Sequence, residues 1–207
     1  MTGKIITADS VLPESFYDRD AVIVARQLLG KHLVRRTREG LCRGLIVETE
    51  AYLHEGDSAC HTFKGPNRKN QSMFGPPGRA YVYTIHARCC FNVVTQSAGQ
   101  GAAVLIRAVE PVAGIELMRR RRNKENLPDL TRGPARLCEA FAIDRGLDSF
   151  DLTQGKQLWI AGDQSPEIAD NQARRTTRIG VTSAHDLVLR FIIAGNPFVS
   201  GPKSLRM

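Results

Sequence analysis

Chemistry could begin in the stretch LIVETEAYLHEGDSACHTF, residues 45–63, which sets Glu48, Glu50, Tyr52 and His61 behind an apolar run. As a strand it points Val47, Thr49 and Ala51 to one face and Glu48, Glu50 and Tyr52 to the other. Glu48 and Glu50 then stand ~7 Å apart along the backbone. Paired acids at such spacing can hydrolyse a glycosidic bond. They can equally be surface partners for the many arginines, as charged strand residues usually are. The apolar lead-in matters here, because a carboxylate against low-dielectric walls can be tuned toward general-base work.

Further candidates lie downstream. Tyr81 and Tyr83 share one face of a strand, where aromatic rings most often serve the core. A site that stacks a nucleobase needs two facing rings, and Tyr52 and Tyr83 can supply them from different strands. His61, taken alone, reads as a structural or surface histidine. Arg107 interrupts the apolar run AAVLIRAV and needs an anionic partner, for which Glu50 is the obvious candidate. The loop KGPNRKNQSMFGPPGR, residues 64–79, places Lys64, Arg68, Lys69 and Arg79 among turn residues, which suits phosphate contacts or plain solvation equally. The Arg119–Arg122 run is a weaker signal, since solvated basic helix ends are common.

These residues need a scaffold. The spacing of Val22, Ala25 and Leu28 predicts a helix over 20–29, capped by Asp20 and stopped at Gly30. Strands are expected at 31–36, 41–52, 79–85, 89–95 and 101–111, with the 79–85 and 89–95 pair forming a hairpin. Residues 112–122 read as helical with Ile115 and Met118 inward. Another helix should start at Gly133-Pro134, with Leu137 and Phe141 on its inner face. Short strands are expected near 158–160, 179–182 and 187–193. Residues 54–79 form a long irregular segment of the kind that carries function. Strands come in runs and helices are grouped elsewhere, which predicts an α+β fold: a single mixed domain, 1–207, with a curved, mainly antiparallel sheet and a protruding hairpin.

Composition bounds the partners. The 29 Lys and Arg against 21 Asp and Glu give a formal charge of +8, which favours an anionic partner such as nucleic acid, or describes an ordinary basic enzyme. Five cysteines without a CxxC pair suggest neither a disulfide framework nor a zinc site, and point to a reducing, cytoplasmic setting. No apolar run approaches a membrane span, and MTGKIITADSVLPESF does not read as a signal peptide. GxxxxGK[ST], HExxH and GxSxG are absent from the sequence.

With these residues in view, LIVETEAYLHEGDSACHTFKGPNRKNQSMFGPPGRAYVYTIH strongly resembles the alkyladenine (3-methyladenine) DNA glycosylase family. ARQLLGKHLVRR, VLIRAVEP, RGPARLC and LRFIIAGNPFVS extend the resemblance over nearly the whole chain in the same order. The most specific element is VETEAY, followed by a histidine nine residues after its tyrosine and then by YVY. The resemblance implies a monofunctional base-excision repair glycosylase that flips a damaged purine from double-stranded DNA. It implies no metal, no organic cofactor and no membrane, and a monomer in the cytoplasm, nucleoid-associated in a bacterium. Glu50 would be the general base and Arg107 would help hold the attacking water, with the backbone carbonyl of Ile179 as a further water ligand. Tyr52, His61 and Tyr83 would wall the flipped base, and Asn92 would crowd the 2-amino group of guanine. Glu48 remains a supporting acid.

One departure concerns the hairpin tip. Many members carry a tyrosine that fills the gap left by the flipped nucleotide. His86 stands there in this chain, and HARCCFN is one residue shorter than the usual pattern. The wedge is therefore expected at His86, or at Arg88 if the shortened run moves it into the gap. Two rivals stand beside the glycosylase. A two-carboxylate glycoside hydrolase would use Glu48 and Glu50, though a carbohydrate cleft rich in Trp is not suggested by a chain with Trp159 alone. A non-catalytic damaged-nucleic-acid binding module has no need of both Glu50 and Arg107.

Overall fold

The computed structural model describes residues 11–162 and 168–206. The N-terminal stretch read above for a targeting signal lies mostly outside them. Its framework is an eight-stranded sheet in which every strand pairing is antiparallel. The strands are β1 (His32–Thr37), β2 (Gly40–Tyr52), β3 (Ala80–Ile85), β4 (Arg88–Thr95), β5 (Ala102–Ala113), β6 (Leu158–Ala161), β7 (Ala173–Thr176) and β8 (Arg190–Ile193). The helices are α1 (Glu14–Tyr17), α2 (Ala21–Leu28), α3 (Ile115–Arg122), α4 (Pro128–Thr131) and α5 (Pro134–Phe141). This is the expected α+β class.

The long strand β2 organises the sheet. β5 runs along one edge. On the other, β1 pairs with its first half and β8 with Glu48–Glu50. The sheet divides there, with β6 beyond β1 and β7 beyond β8. Helix α2 packs on β2. Its Ala21, Val24, Ala25 and Leu28 are buried, and the Asp20 side chain accepts from the Val22 and Ile23 N–H groups. Thr49 faces this helix and donates its hydroxyl to the Ala25 carbonyl at 2.8 Å.

Two opposed bulges sit where the chemistry was expected. Ile46 pairs with Val109, Glu48 with Ala108 and Thr49 with Ile106. Val47 is therefore an extra residue on β2, and Arg107 an extra residue on β5. Such insertions bend a strand and re-aim its side chains. The expectation that Val47 shares a face with Thr49 and Ala51 is corrected accordingly. Ala51 joins the main core, whereas Val47 packs with Ala108, Ile192, Phe198 and Val199 in a separate cluster.

Three further expectations change. Helix α3 begins at Ile115, not 112, because β5 continues to Ala113 and the chain turns at left-handed Gly114. A Cβ at Gly114 would stand 2.3 Å from the Leu41 carbonyl oxygen, so glycine is required there. Residues 179–182 form a loop instead of a strand, since the Ile179 N–H goes to Glu50 and Gly180 is left-handed. The strand before this loop is β7, whose sequence ARRT gave no apolar alternation. The last strand, β8, covers only 190–193 of the expected 187–193.

Candidate active site

Glu50 lies fully buried at the C-terminal end of β2. Its Oε2 accepts from Arg107 Nη1 at 3.1 Å and from the Tyr52 hydroxyl at 3.0 Å. Its Oε1 accepts from the Ile179 N–H at 2.8 Å. The bulge at Arg107 delivers that guanidinium to both acids of β2, for Arg107 Nε also donates to Glu48 at 2.8 Å. The partner expected for Arg107 is thus present, and a second acid shares it.

Glu48 is the hub of a buried network. Its Oε1 accepts from Arg107, from Arg190 Nε at 2.7 Å and from the Ser200 hydroxyl at 2.8 Å, while Oε2 accepts from the Ser200 N–H at 2.7 Å. Burial alone would raise its pKa, but the two guanidinium groups and the Ser200 hydrogen bonds outweigh it and hold the carboxyl below its usual range. None of the four donors to Glu48 comes from a residue of the cavity wall, whereas Tyr52 of that wall donates to Glu50, which weakens the two-carboxylate reading. Arg190 and Ser200 gave no signal in the sequence, because their roles depend on contacts distant along the chain.

Beside Glu50 opens a cavity of about 360 Å³ lined by Tyr52, His61, Tyr83 and Asn92, with Gly180–Ser183 as another wall. Four residues expected to meet around a base therefore line one space. Burial lowers the His61 pKa, which favours the neutral ring, and His61 Nδ1 lies 2.8 Å from the Tyr81 hydroxyl. The His61 and Tyr83 rings meet edge to face with centroids 4.5 Å apart. Tyr81, left as a core candidate, is buried and lines the same cavity. Burial raises the pKa values of Tyr52 and Tyr83, so both remain neutral phenols. Asn92 donates its amide to the Tyr81 carbonyl at 3.0 Å, which fixes its orientation. Glu50 itself does not line the cavity. The Tyr52 hydroxyl, on Oε2, is its link to that space.

The hairpin closes on His86 and Ala87, both left-handed with φ of 47° and 59°. Ile85 and Arg88 pair at its base. His86 and Arg88 are exposed, as a wedge must be, but Ile85 is the tip residue that lines the cavity. Sequence reasoning missed Ile85, although an apolar residue beside the turn of a protruding hairpin was available as a signal.

A neighbouring cavity of about 680 Å³ shares His61, Tyr81 and Tyr83 and adds Asn67, Arg68, Lys69, Thr84 and Arg145. Arg68 and Lys69 form no ion pair among the described residues. The α3 arginines differ: Arg119 pairs with Glu116, Arg121 with Glu39 and Arg122 with Glu139. Among the described residues no cluster of His, Cys, Asp and Glu could hold a metal ion, and no helix is long and apolar enough to cross a membrane.

A buried acid–arginine pair lies next to an aromatic-walled cavity, with cations nearby that form no ion pair among the described residues, an arrangement whose chemistry suits an enzyme acting on a flat ring carried by a polyanion. The methylpurine-DNA glycosylase (MPG) family model matches residues 15–197. A protein of Carboxydothermus hydrogenoformans is 47% identical over 92% of this chain and 98% of its own length. One from Mesorhizobium japonicum is 46% identical over 96% and 92%. One from Methanoculleus marisnigri is 45% identical over 91% and 98%. Each bears the name "Putative 3-methyladenine DNA glycosylase". The chain belongs to the methylpurine-DNA glycosylase family and is a DNA N-glycosylase, a hydrolase of DNA repair.

Proposed function

We propose that the chain removes alkylated and deaminated purines, of the 3-methyladenine, hypoxanthine and ethenoadenine class, from duplex DNA by turning the base out of the helix and hydrolysing its glycosidic bond. The observation that carries this reading is the placement of Glu50, held by Arg107 and Ile179, under a cavity walled by Tyr52, His61, Tyr83 and Asn92. An enzyme working on a base must take it out of the stack, at a cost of a few kcal/mol that is least for a weakly paired lesion.

In this mechanism Tyr52 and Tyr83 flank the ring. A cationic alkylpurine gains from their π faces, and the neutral His61 adds no opposing charge. Asn92 crowds the 2-amino group of guanine and disfavours the normal base. Movement of the Tyr52 hydroxyl off Oε2 frees Glu50 to take a proton from water. The water oxygen bonds to C1′ while the C1′–N bond breaks and its electron pair leaves with the purine. Arg107 holds Glu50 and the water, assisted by the Ile179 carbonyl. Neutral purines leave only with added hydrogen bonding or protonation.

Arg68 and Lys69 of the larger cavity receive backbone phosphates. His86, Arg88 and the neighbouring Ile85 are the hairpin residues available to fill the vacated stack. The protein acts as a monomer on one lesion.

Duplexes carrying hypoxanthine, ethenoadenine or 3-methyladenine, incubated with the protein and then cleaved at abasic sites by alkali, test the proposal. Alkali-labile product is expected from at least one lesion. Tight damaged-DNA binding with no product from any of them would favour the binding module.

A further inference from the structure

Against the Tyr52 ring lies a buried ion pair that the catalytic mechanism does not use. The side chains of Arg178 and Asp57 are both fully shielded from solvent. Arg178 Nη1 meets Asp57 Oδ2 at 2.6 Å, and Nη2 meets Oδ1 at 2.7 Å, the two-pronged geometry that only a planar guanidinium provides. The same guanidinium donates to the Ala51 carbonyl at 3.1 Å and to the Ala184 carbonyl at 3.4 Å. Its carbon stands 4.7 Å from the centre of the Tyr52 ring, and its buried Nε has no hydrogen-bond partner among the described residues.

These contacts tie together the two walls of the cavity. On one side Asp57 accepts from the Leu53 and Ala59 N–H groups and so orders the turn leading from Tyr52 to His61. On the other, Arg178 precedes Ile179, whose N–H holds Glu50, and reaches the end of the 180–183 wall through Ala184. Tyr52 is held at both ends, by Arg178 across its ring and by Glu50 at its hydroxyl.

Removing two charges from water is costly, and apolar residues of similar volume often hold a fold as well or better. A bidentate pair instead fixes distance and angle. We infer that Arg178, through Asp57 and the Tyr52 ring, is a positioning residue that sets the width of the base cavity and thereby which modified purines fit. This deepens the glycosylase reading and rests on it.

The test uses Arg178→Lys and Asp57→Glu. Both keep the buried charges but change the geometry, and circular dichroism and thermal melting report whether each variant folds. Single-turnover excision of hypoxanthine and of the bulkier ethenoadenine is measured for both variants and the wild type. With the clamp loosened, the small lesion loses its contacts while the bulky one gains room. The ethenoadenine-to-hypoxanthine rate ratio should rise by about tenfold, the scale of a small misfit in an apolar pocket. Equal losses on both lesions, no change in the ratio, or failure of both variants to fold would make the pair a stability element and overturn the inference. Absence of excision by the wild type on any lesion would instead sink the glycosylase reading, and the inference with it.

Discussion

At the scale of single residues, Glu48 and Glu50 separate into different tasks because their oxygens meet different donors. Glu48 is saturated by two arginines and Ser200, while Glu50 gives one oxygen to a tyrosine hydroxyl that belongs to the cavity wall. Glu48→Ala should therefore cost about 3–5 kcal/mol, since Arg107 and Arg190 would stay buried without their shared acid. Urea unfolding measures this, and a loss under about 1 kcal/mol, the scale of an exposed pair, would contradict it. His61 gives a pH signature. Burial lowers its folded-state pKa below the unfolded value of 6.5, so the unfolded chain binds more protons in acid. Its contribution is complete above about pH 6.5 and is lost as pH falls from there toward the folded value. Wild type should lose more stability than His61→Gln between pH 7 and pH 5, by unfolding titrations compared at each pH, and parallel curves would remove the role.

At the scale of elements, the bulges and turns place the side chains around the cavity. Helix α2, helix α5 and the β3–β4 hairpin were legible because their signals are local: a cap, a proline at the first helical turn, alternation on both sides of a short turn. Glu50, Arg107 and the tyrosines were legible through their unusual settings and the family resemblance. The Val47 bulge was not, since strict alternation fits the sequence equally well and only pairing with β5 reveals the extra residues. Arg190, Ser200 and the Asp57–Arg178 pair were hidden for a related reason, because their partners come from far along the chain. The hairpin tip yields a direct check. Ala87 takes a left-handed conformation that suits glycine in a two-residue turn. Ala87→Gly should stabilise the fold by about 1 kcal/mol, seen as a higher Tm. An unchanged or lower Tm would mean that the strain is relieved elsewhere.

At the scale of the whole molecule, the +8 charge is not spread evenly in its effect. The arginines of α3 are largely neutralised by Glu39, Glu116 and Glu139, whereas Arg68 and Lys69 line a cavity that shares His61, Tyr81 and Tyr83 with the smaller one beside Glu50. Arg68→Gln and Lys69→Gln should each reduce the slope of log affinity for DNA against log salt by about 1, while Arg121→Gln leaves it unchanged. A lower slope for Arg121→Gln alone would move the DNA surface to the opposite element. The central claim is that this basic surface delivers a damaged purine to a water activated by Glu50, and Glu50→Gln tests it most directly. Glutamine keeps the shape and loses the base. Single-turnover excision of the best lesion should fall by at least ~10²-fold, while gel-shift affinity for the same duplex stays near that of the wild type. Excision near the wild-type rate, with the substitution verified by mass, would contradict the account.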